Sequence, residues 1–265
     1  MDFDEYLERI VKNRFIPVPP QQLYNRFFPG GDEEFRTIGV HMLRNLVKFA
    51  ELRPSHRVID IGSGVGRIAL PLTQWLDESG KYTGVDIIRE GVEWCSANIS
   101  SNYLNFDFEF LDVYNEHYNP QGRYSLPQAW KNRSLAAFDV AIFCSVFTHL
   151  WLEDARFYLR LMHRFLVDDG AIWMTWFIVD DEARRSLADR RTTIPFGHEE
   201  DGVHFLSKQG STAAVGYDAS LARSLIESSG FRIERLRLGG WCDRAQHENE
   251  YQDLIVARKI PSGRN

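Results

Sequence analysis

Val58-Ile59-Asp60-Ile61-Gly62-Ser63-Gly64-Val65-Gly66 is followed, after an intervening helical stretch, by Tyr82-Thr83-Gly84-Val85-Asp86. An apolar β-run feeds a glycine-rich turn, and a second strand ends in a carboxylate. Small residues at the turn let the backbone approach a ligand closely, and a helix starting after Gly66 would offer free N–H groups. A carboxylate closing the next strand can accept hydrogen bonds from both hydroxyls of a ribose. The pair of segments therefore suits a nucleoside-bearing ligand.

Spacing narrows the ligand. A dinucleotide fingerprint, G-x-G-x-x-G, would place its third glycine at position 67, which is Arg67; the glycines fall at 62, 64 and 66. Asp60, just before the first glycine, would also oppose a pyrophosphate by like charge, whereas a cationic ammonium and sulfonium would welcome it. An acidic residue followed by G-x-G-x-G resembles the first motif of the class I S-adenosylmethionine-dependent methyltransferases, and the resemblance runs from about residue 55 to 258. Arg67 and the run Asp112-Val113-Tyr114-Asn115 are most similar to bacterial methyltransferases of small molecules and glycans.

Composition is consistent with that class. The chain of 265 residues is long enough for one sizeable α/β domain or two small ones, and 44% apolar with 26% charged residues is ordinary for a soluble protein. A net charge of -6 with no basic tail argues against nucleic acid as the main partner. Cys95, Cys144 and Cys242 lack metal-ligand spacing and cannot all pair, which fits a reduced, cytoplasmic setting. The acidic start Met1-Asp2-Phe3-Asp4-Glu5 is unlike a signal peptide, and no apolar run reaches membrane-spanning length.

The chain reads as an N-terminal extension and packing helix over 1–54, then a cofactor-binding domain over 55–260 with insertions at 113–137 and 178–217. The extension opens with a short helix and continues as a proline-rich arm through Pro17, Pro19, Pro20 and Phe28-Pro29, expected to lie extended over the domain. The packing helix, about 32–52, carries the stripe Phe35, Ile38, Met42, Leu46 and Phe49, with Asp32 as cap and Pro54 as stop. Strands are expected at 57–61, 81–86, 106–111, 138–144, 170–177, 231–238 and 251–258. Helices are expected at 65–78 (kinked by Pro71), 88–101, 151–166 and 218–229, the last opened by Asp218. Alternating βα units imply a parallel, doubly wound sheet, and the last two strands, joined without a crossover, must be antiparallel. The family resemblance implies seven strands, with the last inserted antiparallel. The insertions, rich in aromatics and histidines, follow strand carboxyl ends and read as substrate covers.

The resemblance assigns contacts by position. Asp60 with Gly62, Ser63, Gly64 and Gly66 would hold the methionine end of S-adenosylmethionine. Asp86 and Ile87 would hold ribose and adenine, Asp112 and Val113 the adenine amino group, and Cys144 with Ser145 would flank the donor methyl. Asp86 also suits a helix cap, and Asp112 an ordinary turn. The product cofactor would be S-adenosyl-L-homocysteine. His149, just beyond the fourth strand, is the candidate base for a hydroxyl acceptor, with a structural role at the following helix as the alternative; His117, and after it His198 and His204, are further candidates. No metal is expected: the fourth strand ends without an acid, and Asp180-Asp181 is the only acidic pair nearby. The N/D-P-P-aromatic signature of amino- and adenine-directed enzymes is absent there.

The function expected is O-methylation of a small-molecule or sugar hydroxyl. The alternatives are a protein or peptide methyltransferase and an inactive S-adenosylmethionine-binding partner subunit. A homo-oligomer is compatible with all of them.

Overall fold

The two strand segments that flank the glycine turn, 58–61 and 82–86, are buried on both faces, and the sheet they enter is accordingly covered on both sides. The computed structural model describes residues 2–13, 16–25, 30–131, 137–207, 212–248 and 250–261. Phe28-Pro29 of the proline-rich arm, and 132–136 and 208–211 of the two insertions, lie outside these.

The main sheet comprises β1 (Arg57–Ile61), β2 (Lys81–Asp86), β3 (Phe106–Phe110), β4 (Phe138–Phe143) and β5 (Leu166–Trp176), with two later strands, β10 (Phe231–Arg237) and β11 (Asp253–Lys259). Between them in sequence, β6 (Ile178–Val179), β7 (His198–Glu200), β8 (Val203–Phe205) and β9 (Val215–Asp218) build a separate four-stranded sheet. The main order is β10-β11-β5-β4-β1-β2-β3. β1 pairs in parallel with β2 and β4, and β11 is antiparallel to β10, as their direct connection requires, and also to β5. Connections leave β1 toward one edge and reach β4 on its other side. The crevice at the carboxyl ends of these strands is where such sheets bind ligands.

The helices are α1 (Phe3–Lys12), α2 (Gln21–Tyr24), α3 (Asp32–Phe49), α4 (Ala69–Leu72), α5 (Arg89–Cys95), α6 (Leu126–Trp130), α7 (Leu152–Phe165), α8 (Asp181–Ala188) and α9 (Ala219–Ser228). Ile59, Ile61, Ile172 and Met174 pack with Leu159, Met162 and Ile226 of α7 and α9 on one face. Val58, Val140, Ile142 and Trp173 pack with Leu43 and Leu46 of α3 on the other. Strands buried on both faces lose the period-two alternation of a half-solvated sheet.

Four expectations need correction. The helix expected over 65–78 contracts to α4, with Pro71 in its first turn, where the missing N–H breaks no helical hydrogen bond; turns fill the remainder. The ligand turn therefore does not lead into a long helix. The helix expected over 88–101 is α-helical only to Cys95 and continues as a π-helical turn over Ser96–Ser100. Asp32 is the first residue of α3 rather than its cap: Gly31 occupies that position, and its N–H donates to Glu34 Oε2. The buried face of α3 centres on Phe35, Gly39, Leu43 and Leu46, while Ile38 and Met42 flank it. Gly39 sets that rotation, since a Cβ there would stand only 2.4 Å from the Arg67 carbonyl oxygen. The packing helix thus backs directly onto the exit of the glycine turn.

The second insertion is more ordered than a loop. Asp201 (φ 50°) and Gly202 (φ 78°) make the left-handed two-residue turn of the β7–β8 hairpin. A buried carboxylate anchors this sheet to the main one: Asp253 accepts from Ile178 N–H, Gly239 N–H, Trp241 Nε1–H and Arg244 Nη1–H at 2.6–3.1 Å. Among the described residues, no helix is long and apolar enough to cross a membrane.

Candidate active site

At the carboxyl ends of β1, β2 and β4 lies a cavity of about 230 Å³. The turn 62–64 forms its floor, with Asp60 and Asp86 beside it. Cys144, Ser145, Val146 and His149 close one side, and Tyr24, Phe35, Tyr118 and Tyr158 supply aromatic walls.

Two backbone features shape the floor. Gly62 (φ 77°) and Gly64 (φ 55°) sit in the left-handed region that side chains rarely adopt. A Cβ on Gly62 would strike Val146 Cγ2 at 2.5 Å, whereas one on Gly64 would meet no protein atom within 4 Å and would project into the cavity. Gly64 N–H donates to Asp86 Oδ2 at 2.6 Å, and Ile88 N–H donates to Asp86 Oδ1 at 2.7 Å. Asp86 thus ties the glycine turn to the turn after β2 and also lines the cavity.

Charge in this pocket is costly. Burial pushes Asp60 up to about 7, offset in part by the hydrogen bond from Tyr82 Oη at 2.6 Å. Burial likewise pushes Asp86 up to about 6, against the pull of its backbone donors. Asp60 Oδ1 and Ser63 Oγ are buried without a hydrogen-bond partner. Orphaned buried acceptors on the wall of a cavity are the mark of a polar ligand that completes them. Two buried carboxylates fit a cation and disfavour a pyrophosphate.

Ser145 carries another strained backbone, with φ 56°. Its N–H donates to Thr175 Oγ1 at 2.7 Å and its hydroxyl to Gln252 Oε1 at 3.0 Å, which hold the conformation. Cys144 Sγ lies 3.7 Å from Met42 Sδ, and burial pushes its thiol up, so it is a packed neutral wall.

His149 ends a 3₁₀ turn, Phe147–His149, beyond β4. Its Nδ1 stands 2.8 Å from the Thr212 carbonyl. A carbonyl only accepts, so Nδ1 carries the proton and Nε2 of the neutral ring is the acceptor. Burial lowers its pKa and so favours that neutral form. The Tyr118 ring meets the imidazole edge-on at 5.7 Å.

The remaining sequence candidates lie elsewhere. Gly66 faces away from the cavity, toward Ile99 and Cys95, where it admits close packing on the helix after β2. Asp112 sits outside the main cavity, in a shallow neighbouring depression, paired with Arg123 Nε at 2.5 Å; Arg123 holds its carboxyl below the usual range. Val113 is a core residue under the first insertion. His117 is half-exposed with Nε2 3.2 Å from Glu116 Oε1. His198 pairs with Phe205 across the hairpin. His204 is buried against Asp218 Oδ1 at 2.7 Å. Asp218 therefore precedes α9 without capping it by its side chain. Asp180 accepts from Ala183 N–H and pairs with Arg244, so it caps α8; no three His, Cys, Asp or Glu side chains gather as a metal-binding group among the described residues. Tyr24, Phe35, Arg67 and Tyr118 line the cavity, though the sequence named none of them as a ligand contact.

Asp86→Ala should weaken S-adenosylmethionine binding by about 2 kcal/mol, some thirtyfold, because charge-assisted bonds are lost and Gly64 N–H is released. Asp112→Ala should cost less, since its carboxylate is engaged by Arg123 outside the cavity. Titration calorimetry ranks the two; the opposite order would move the ribose contact away from Asp86.

Comparison with known proteins shows the family and the fold. Residues 52–213 match the family model described as a methyltransferase domain. A protein of Thermoplasma acidophilum named as a cobalt-precorrin-6B C(15)-methyltransferase (decarboxylating) is 30% identical over 91 residues; the match covers 31% of this chain and 45% of that protein, so the shared stretch spans under half of the relative's length. The PH0226 protein of Pyrococcus horikoshii superposes with a TM-score of 0.58 at 15% identity, over 90% of this chain and 98% of the other. Human N-acetylserotonin methyltransferase, solved in complex with S-adenosylmethionine, gives 0.52 at 17% identity, over 97% and 66%. At these identities the structures speak for the fold.

Proposed function

The chain belongs to the family described as the methyltransferase domain, and from that premise we propose that it moves the methyl group of S-adenosylmethionine to a hydroxyl of a small-molecule acceptor. The observation that carries the hydroxyl reading is His149: an imidazole on the cavity wall that gives Nδ1–H to the Thr212 carbonyl, so that Nε2 is the nitrogen of the neutral ring able to accept a proton.

S-adenosylmethionine supplies a methyl carbon already activated by its sulfonium, so the protein's part is alignment, water exclusion and proton removal. Asp60, Ser63, Gly64 and Asp86 offer the acceptors and close backbone approach that its ammonium, sulfonium and ribose require. His149 Nε2 would take the hydroxyl proton as the acceptor oxygen bonds to the methyl carbon of the bound cofactor and the C–S bond breaks, leaving S-adenosylhomocysteine. Tyr24, Phe35 and Tyr118 wall the cavity with rings, which suits a planar ring or the C–H face of a sugar. A peptide side chain would call for an open groove instead. The human neighbour's own name gives a small-molecule acceptor, N-acetylserotonin. The reading is tested by incubating the protein with methyl-labelled S-adenosylmethionine and a panel of phenols, sugars and peptides. Label on a hydroxyl of a phenol or sugar supports it, and label on peptides alone contradicts it.

The buried carboxylates add a pH dependence. A cation is favoured by the ionised forms of Asp60 and Asp86, so binding is strongest above their raised values and weakens as pH falls through about 7 toward 6. S-adenosylmethionine affinity should drop about tenfold or more between pH 8.5 and 5.5. S-adenosylhomocysteine, without the sulfonium charge, should drop less. Equal, flat profiles for both ligands would contradict the carboxylate assignment.

A further inference from the structure

His149 takes its orientation from outside its own segment. The Thr212 carbonyl that receives Nδ1–H belongs to the second insertion, and Thr212 is 3% exposed. Thr212 is in turn held by the first insertion: its N–H and its Oγ1–H both donate to Glu116 Oε1, each at 3.3 Å. The same carboxylate oxygen lies 3.2 Å from His117 Nε2. Two segments 96 residues apart in sequence thus meet at one carboxylate, on the far side of the carbonyl that grips the imidazole.

We propose that Glu116 is a positioning residue for His149: by anchoring Thr212 it fixes the carbonyl that captures Nδ1–H and so keeps the ring proton on Nδ1 and Nε2 unprotonated. The functional meaning rests on His149 being the base, while the tautomer itself follows from the hydrogen bonds alone. Which ring nitrogen of a neutral histidine carries the proton is set by the partner of the other. With the Thr212 carbonyl displaced, the ring relaxes toward the Nε2–H form that free histidine favours, and it then presents a donor where a proton must be accepted. Tyr118 packs edge-on against the imidazole and Tyr217 Oη donates to the Leu150 carbonyl at 2.8 Å, so the backbone around the ring stays put when Glu116 is changed. His117, which shares Glu116, and Tyr118, which packs on the imidazole, are titratable neighbours of His149.

The Glu116 side chain is 47% exposed, so its replacement should leave the fold intact. The experiment is a long-range 1H–15N correlation spectrum of 15N-histidine-labelled protein at pH 8, with the His149 signals assigned by their loss in His149→Gln. Wild type and Glu116→Gln, which keeps an oxygen acceptor, should show the Nδ1–H pattern; Glu116→Ala should shift His149 to a majority of Nε2–H. An unchanged Nδ1–H pattern in Glu116→Ala, or Nε2–H already in the wild type, overturns the proposal. Failure of the base reading is separately visible: His149→Gln would then methylate acceptor at the wild-type rate whatever the tautomer spectra show.

Discussion

His149→Gln should lower methyl transfer to a hydroxyl acceptor by about 10²–10⁴-fold at saturating cofactor, the range expected when a general base is removed. S-adenosylmethionine affinity should stay near the wild-type value, since the imidazole bonds to Thr212 and packs on Tyr118 and takes no part in the contacts of Asp60 and Asp86. The pH profile of turnover supplies a second readout. Only the neutral ring accepts a proton, so turnover falls as pH drops through the His149 pKa. Burial lowers that pKa, so the acid limb lies below the ordinary histidine range. Saturating cofactor separates this limb from the weaker cofactor binding caused by protonating Asp60 and Asp86. A variant that keeps both its turnover and its acid limb would return His149 to a structural role beside α7.

Gly64→Val should weaken S-adenosylmethionine binding at least a hundredfold. The left-handed backbone at φ 55° is an outlier for a β-branched residue, and local relaxation would move the N–H that Asp86 receives. Its side chain would also enter space that no protein atom occupies within 4 Å, so the loss falls on the ligand and not on the core. The melting temperature without ligand should therefore change little compared with the loss of affinity. Gly62→Val is the harsher control, because its Cβ collides with Val146 and both fold and binding suffer. Calorimetric titration showing wild-type affinity in a stable Gly64→Val protein would place the cofactor elsewhere.

The parts of this protein that were readable in one dimension are those determined by local chemistry. The turn Gly62-Ser63-Gly64 between two apolar strands, the acid before it and Arg67 after it separate a cationic nucleoside ligand from a dinucleotide without any structure. Strands buried on both faces announce themselves as continuous apolar runs, and the direct link between the last two strands dictates their antiparallel pairing. What escaped depends on distant partners. Phe35 walls the cavity because α3 is rotated by the contact of Gly39 with Arg67, and Tyr24 of α2 joins it by packing on the Phe35 ring and donating to Asp32, facts no periodicity encodes. Asp112 sits at the expected strand end, but its pairing with Arg123 depends on how the first insertion folds back. The second sheet carried one local sign, Asp201-Gly202, which is a strong hairpin turn; its flanks, His198-Glu199-Glu200 and Val203-His204-Phe205, lack the alternation that would have made it persuasive. The tautomer of His149 depends on a residue 63 positions away and could not be read at all.

The most direct measurement is a crystal structure of the protein soaked with S-adenosylhomocysteine. The expected density lies at the carboxyl ends of β1, β2 and β4, with the ribose hydroxyls within hydrogen-bond distance of the Asp86 carboxylate. The amino end should reach Asp60 Oδ1 and Ser63 Oγ, the sulfur should point toward Ser145 and His149, and the backbone of Gly64 should be in contact with the ligand. Density for the ligand outside this cavity, or a ribose that leaves Asp86 untouched, would contradict the assignment of the site.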